Sequence, residues 1–203
     1  MQDMHYMDRN LAAIRTRIRE AKEESRKRFP DRDGVTLLAA VKYADTEQLR
    51  YLTEVLGIRD VGENRVQQRL EHWEALPDRE DLRFHFIGTL QKNKVKYIID
   101  TVCMIHSLDS MSLAKEIEKQ AAKHNRTIDI LLEVHVAQEE SKSGWAWDDL
   151  LRFVQSDGSC IYTCSHHYAS RVGKSFPCLR IFQGESLSYF GLFLCERQFP
   201  WIA

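Results

Sequence analysis

One pattern limits what this chain can fold into. Between residues 35 and about 155, a short apolar run followed by a helical stretch recurs five times. Residues 35–41 are apolar apart from Thr36, as a strand covered on both faces must be. Asp45 and Gln48 then form a capping-box start for a helix reaching about Leu56, and Gly57 suits its C-terminal cap. The same unit returns with a strand at 58–61 and a helix from about Arg65, then a strand at 83–87 and a helix from about Gln91. It returns twice more, at 102–105 with a helix from about Ser110, and at 128–136 with a helix from about Trp147. Parallel neighbours need crossovers, and helices make them, so the repeat predicts an α/β fold built on a parallel sheet. Ahead of it, Met7, Leu11, Ile14, Ile18 and Ala21 lay one apolar stripe along a charged helix that ends at Phe29-Pro30. That stripe is read as lying against the domain body.

The chain is long enough to bury a sizeable core, with 203 residues of which 43% are hydrophobic, which excludes fibrous and disordered classes. Lys and Arg number 29 against 30 Asp and Glu. A net charge of -1 supplies no field that would gather nucleic acid or anionic membrane, and neither is expected as a partner. No apolar run has the length of a membrane span, and the polar start Met1-Gln2-Asp3-Met4-His5 is unlike a secretory signal, so a cytoplasmic protein is expected. The composition breaks near residue 159. Cys103 stands alone before it, whereas Cys160, Cys164, Cys178 and Cys195 crowd the remainder, with nine aromatics and only four basic and two acidic groups. Without a secretory signal a disulfide module is unsupported, and their spacings match no zinc template. The domain reading is therefore a partial barrel over 1–158 and an atypical tail over 159–203 with no assigned domain.

In parallel sheets and barrels, chemistry gathers at the C-terminal ends of the strands. Those ends carry Lys42, then Gly62-Glu63-Asn64, then Gly88 with His85 just inside the strand, then His106-Ser107, with His135 in the fifth. Lys42 follows Leu37-Leu38-Ala39-Ala40-Val41 directly. An amine at the rim of a low-dielectric core loses hydration, which favours its neutral, nucleophilic form. From the residues alone, the preferred reading of Lys42 is a side chain that snorkels to solvent or pairs with an acid such as Asp60 or Glu63. Asn64 has the alternative role of capping the helix after it, and Ser107 that of starting the helix after Asp109. Lys92, Asn93, Lys94 and Lys96 beside Tyr97 read as the solvated start of a helix rather than an RNA-binding patch. His85, His106 and His135 lack an obvious carboxylate or thiol to complete a metal set. Gly173-Lys174-Ser175 lacks the upstream glycine of a phosphate loop.

Five fragments in order carry a resemblance. They are Leu38-Ala39-Ala40-Val41-Lys42-Tyr43, Asp60-Val61-Gly62-Glu63-Asn64-Arg65-Val66-Gln67, His85-Phe86-Ile87-Gly88-Thr89-Leu90-Gln91-Lys92-Asn93-Lys94, Ile105-His106-Ser107-Leu108-Asp109-Ser110 and Ser141-Lys142-Ser143-Gly144. Over about residues 4–158 the chain resembles the YggS/PROSC family of pyridoxal 5'-phosphate homeostasis proteins. The resemblance implies a (β/α)8 TIM-type barrel like the N-terminal barrel of alanine racemase, here incomplete with about five βα units. It implies that Lys42 holds pyridoxal 5'-phosphate as a Schiff base and that Asn64 and Ser107 line the cofactor cavity. It also implies a binding protein of vitamin B6 homeostasis without robust enzymatic activity.

The chain departs from the family's pattern after residue 158. A Gly-Met-Ser-like turn and an Arg-Ile-Gly-like strand end, which hold the cofactor phosphate in the family, are not found, as after a shifted reading frame or an aberrant transcript. Three lost charge-assisted hydrogen bonds of about 1.5–3 kcal/mol each amount to roughly 5 kcal/mol, near four powers of ten in affinity. Impaired cofactor binding is expected. Five strands cannot close a barrel, so the first and fifth are expected to carry unpaired edges unless the apolar Leu192-Phe193-Leu194 covers one. Two rival readings are an amino-acid racemase-like enzyme using Lys42 as base, and a non-functional fragment. Turnover of L-alanine to the D form separates the first from a carrier, and cooperative melting tests the second.

Overall fold

The computed structural model describes residues 4–28, 30, 35–76, 79–133 and 144–155, together with three short strands further on. The helix α1 (His5–Arg28) leads into β1 (Leu37–Ala40), α2 (Thr46–Arg50), β2 (Asp60–Glu63), α3 (Val66–Ala75), β3 (Arg83–Phe86), β4 (Val102–Leu108), α4 (Met111–Lys123), β5 (Ile128–Leu132) and α5 (Trp147–Gln155). The strands β6 (Ser170–Arg171), β7 (Leu179–Ile181) and β8 (Phe190–Phe193) follow. The first five strands pair in chain order and in parallel, as the repeated unit requires. The architecture is α/β, of the TIM-barrel type with the barrel incomplete.

Local chemistry explains the element ends. The Asp45 side chain accepts from the Gln48 N–H at 2.8 Å and Gln48 accepts from the Asp45 N–H at 3.0 Å, closing the expected capping box. α2 passes into a π-helical turn, Tyr51–Val55, and the chain leaves it through Gly57 at φ +69°, a conformation glycine adopts without a Cβ penalty. Ser110 caps α4 through Leu113 N–H. The segment after β3 differs from expectation: Lys92–Tyr97 is a 3-10 helix, and its cap position, Gln91, contributes no side-chain bond. Of the α1 stripe, Met7 and Leu11 are buried and Ile14 packs against the same cluster, whereas Ala21 is exposed, so only the first half of the helix docks.

The expected open edges of β1 and β5 are corrected. β8 lies parallel to β1, with Leu37 opposite Phe190 and Ala40 opposite Phe193, and β7 lies parallel to β5. The sheet order is β6-β7-β5-β4-β3-β2-β1-β8. An apolar strand stripped of neighbours exposes a row of backbone donors and acceptors, and the residues after 158 supply the missing partners. The four late cysteines, Gly173-Lys174-Ser175, His135 and most of Ser141-Lys142-Ser143-Gly144 lie outside the described residues.

Period-two alternation divides each strand between two faces. Ala39, Val41, Val61 and Phe84 join one cluster beneath the helices, and Phe86, Val102, Ile105, Leu108, Ile128 and Ile130 join another. The residues between them, including Asp60, Gly62 and His85, lie on the other face.

Charge is also buried on the helix side. The fully buried Glu63 bonds His72 Nδ1 of α3, and the guanidinium of buried Arg69 stacks 4.5 Å from the Trp73 ring centroid and 4.9 Å from that of Phe84. Burial by itself would lower the pKa of His72. The bonded Glu63 carboxylate, a bond to the Ala44 backbone and the Glu71 charge together raise it above the ordinary 6.5.

Because the folded value lies above the unfolded one, the His72–Glu63 pair stabilises fully below about pH 6.5 and loses its contribution as pH rises through the folded value. The gap in urea midpoint between the wild type and His72→Gln is expected to be wider near pH 6 than near pH 9. Gly88 gives a second expectation, since a Cβ there would stand 2.2 Å from the Asn64 carbonyl oxygen, which belongs to backbone and cannot swing aside. Gly88→Ala is expected to lower stability by about 1–3 kcal/mol, read as a shift in denaturation midpoint.

Candidate functional site

The C-terminal ends of β1 to β4 stand side by side. Ala40 pairs with Gly62, Glu63 with Phe86, and Phe86 with Ile105. One or two residues further along, the same register brings Lys42, Asn64, Ile87 and His106 to a common height. Val41 N–H donates to the Gly62 carbonyl at 3.0 Å, and Ile87 N–H to the Glu63 carbonyl at 2.8 Å, so the ladder holds beyond the strands proper.

Lys42 opens a turn directly after the fully buried Val41, and Ala44 N–H closes that turn on the Val41 carbonyl. Its side chain is half-buried, with Nζ 4.9 Å from the ring centroid of the exposed Tyr43. The acids that offered it an alternative role are engaged elsewhere: Asp60 by Arg83 and His85, and Glu63 by His72.

Asn64 does not cap α3. The cap position is Arg65, which is extended and makes no side-chain cap bond. The Asn64 Oδ1 atom is buried and has no hydrogen-bond partner. A buried amide oxygen left unsatisfied costs about 1–3 kcal/mol, and such an atom calls for a donor from outside the chain. Ser107 does not start a helix either, since Ser110 performs that task. The Ser107 Oγ donates to the Gly88 carbonyl at 2.5 Å, and Gly88 in turn presses against the Asn64 backbone. Ser107 thus braces the seam that holds Asn64.

A chain of polar side chains descends from these ends into the inner face. His106 Nε2 and His85 Nδ1 are 3.0 Å apart, and His85 Nε2 is 3.0 Å from Asp60 Oδ1. Arg83 donates through Nε and Nη2 to the two Asp60 oxygens at 2.7 and 2.5 Å. Burial would raise the Asp60 pKa, but bonds from His85 and Arg83 and the charges behind them hold it below the usual carboxylate range. Burial, with the charge of His85 as a smaller cause, pushes His106 down to about 4. Burial likewise pushes the Cys103 thiol up to about 12, which leaves it protonated and a poor nucleophile.

The chain of Asp60, Arg83, His85 and His106 was missed from the sequence, although stepping back by twos from Asn64 reaches Gly62 and Asp60. On the helix side, an open cleft of about 540 Å³ is lined by Asn64, Arg65, Gln67, Phe86, Lys94 and Tyr97 among others. Lys42 and Ser107 do not line it. Lys94 and Lys96 lie 5.7 and 4.8 Å from the Tyr97 ring centroid on the exposed 3-10 helix. No group of three potential metal ligands is found among the described residues, and none of their helices is long and apolar enough to cross a membrane.

No family model matches the chain. A pyridoxal phosphate homeostasis protein of Aquifex aeolicus is 44% identical over 134 residues, covering 66% of this chain and 57% of the relative. One from Pseudomonas aeruginosa is 35% identical over 141 residues, covering 70% and 59%. Among solved structures, PipY of Synechococcus elongatus with pyridoxal phosphate bound superposes with a TM-score of 0.54 at 31% identity, covering 64% of this chain and 59% of that one. The chain thus spans less than two thirds of the length of these relatives. In sequence and in fold the chain is similar to part of the pyridoxal phosphate homeostasis proteins.

Proposed function

We propose that this chain binds pyridoxal 5'-phosphate at the C-terminal ends of β1 to β4, as a protein of vitamin B6 homeostasis rather than an enzyme. When bound, the cofactor supplies an aldehyde that condenses reversibly with an amine as a Schiff base, and Lys42 is the amine proposed to receive it. The observation that carries the reading is the buried, unpartnered Asn64 Oδ1 on the strand end next to that of Lys42, an acceptor held ready for a ligand's donor. A PipY structure with pyridoxal phosphate bound, at 31% identity, supports the same ligand class.

The residues divide the work. Val41, fully buried, and the turn closed by Ala44 fix where the Lys42 stem leaves the sheet. Asn64 offers its amide oxygen to the ligand. Ser107 acts one step back, holding Gly88 against Asn64 so that the amide keeps its place. The family's phosphate-holding segments are not found in the sequence, so the reading is of a site whose hold on the phosphate is impaired.

Titration with pyridoxal phosphate, borohydride reduction and peptide mapping test the assignment. The label is expected on Lys42 and is expected to vanish in Lys42→Ala. Asn64→Leu is expected to weaken binding about two- to tenfold, since one hydrogen bond to the ligand is worth roughly 0.5–1.5 kcal/mol. Label on a different lysine, or none at saturating cofactor, removes the proposal.

A further inference from the structure

The backbone ladder between β1 and β2 ends where the candidate site begins. Its last bond among the described residues runs from Val41 N–H to the Gly62 carbonyl, so Lys42 and Asn64 both lie past it. A different tie takes over on the helix side. His72 of α3 is buried, and its Nδ1 bonds Glu63, the residue before Asn64. The same ring bonds the backbone of Ala44, the residue that closes the Lys42 turn. Ala44 N–H is already spent on the Val41 carbonyl at 3.0 Å, so the group that meets the ring is the Ala44 carbonyl. The imidazole thus stands between the two strand ends and is bonded to both.

We propose that His72 is a positioning residue of the ligand site: by joining Glu63 to Ala44, it fixes the spacing between the turn that carries Lys42 and the strand end that carries Asn64. This role rests on the reading of Lys42 and Asn64 as ligand-facing residues. The path is short and stiff, because α3 starts directly after Asn64 and Arg65, and His72 sits two turns along it. Glu63 is fully buried and its Oε2 has no hydrogen-bond partner, so among the described residues the His72 bond is what holds the carboxyl group. Two bonds from one ring need two hydrogens within the His72–Glu63 pair, since a carbonyl can give none. When the pair loses one hydrogen, one of the two links must open.

The surroundings set when that happens. Glu63 on β2 and Glu71 on α3 draw the proton to the ring, and Arg69 on α3 lies stacked on Trp73 and Phe84. The connection from β1 to α2 brings Lys42 and Asp45, and α2 itself carries the exposed Glu47 and Arg50, the latter bonded to the Ala75 carbonyl. From α1, Asp8 is bonded to Tyr51, and β3 offers the apolar Phe84 on this side. The folded pKa of His72 lies above 6.5, so the tie is complete below about pH 6.5 and opens as pH rises through the folded value.

Two readouts on the full chain test this. Without pyridoxal phosphate, 1H–15N spectra across a pH titration follow the His72 ring and the backbone amides of Asp45 and Asn64, which come directly after the two tied residues. Both amides are expected to shift with the midpoint of His72, while that of Leu113 at the start of α4 stays fixed. With pyridoxal phosphate, His72→Leu is expected to bind about three- to tenfold more weakly than the wild type near pH 6, the scale of one well-placed hydrogen bond, and the gap is expected to narrow near pH 9. His72→Lys, whose ammonium can donate to both Glu63 and Ala44, is expected to restore binding at either pH. A role in stability alone would lower the melting midpoint and leave the affinity of the folded chain unmoved. Asp45 and Asn64 amides that ignore the His72 titration overturn the proposal, as does a folded His72→Leu that binds like the wild type near pH 6. Should that variant not fold, the wild-type amide titration decides alone. Because that titration is read without cofactor, its failure is distinct from failure of the Lys42 label.

Discussion

Everything at the candidate site depends on the two-residue alternation of neighbouring parallel strands, with one register shift between β3 and β4 that brings His85 opposite Met104. One face of β1 to β4 must satisfy the helices and therefore carries Ala39, Val41, Val61, Phe84, Phe86 and Ile105. The other is thereby released from that requirement and can hold Asp60, His85 and His106 in bonded contact. A slip of one residue in any pairing would drive the polar set under the helices and the phenylalanines inward. The apolar clusters therefore fix the register, and the register fixes which side chains reach the same height at the strand ends.

Three of the strand ends are further joined by contacts too close to adjust. Gly88 touches the Asn64 backbone, and Ser107 grips the Gly88 carbonyl from the far side. Asn64 is thus held by backbone rather than by its own side chain, which leaves its amide oxygen unspent. Packing and chemistry are coupled here: the close approach that demands glycine is the one that keeps an acceptor in place.

Much of this was legible in the sequence. The five strands, their order, the Asp45–Gln48 box and the turn at Gly57 follow from spacing and turn chemistry that act over a few residues. Lys42 and Asn64 were readable as strand-end residues, because an apolar run announces where it stops. Three features were not. The 3-10 helix at Lys92–Tyr97 is a short turn whose residues carry no pattern that separates it from the start of an α-helix. Ser107 bonds to a residue 19 positions earlier, and the Asp60–His85–His106 chain spans three strands, so neither leaves a local signature. The pairing of β8 with β1 likewise joins segments with no common pattern beyond their apolar character.

That last pairing bears on how the molecule is made. The strand that presents Lys42 receives its outer neighbour from residues synthesised roughly 150 positions later, the widest loop closure in the sheet. During translation, β1 therefore waits with one flank bare while its other neighbour, β2, is already in the emerging polypeptide. A nascent chain in that condition offers a docking edge to chaperones, or to another unfinished copy, until the final segment arrives.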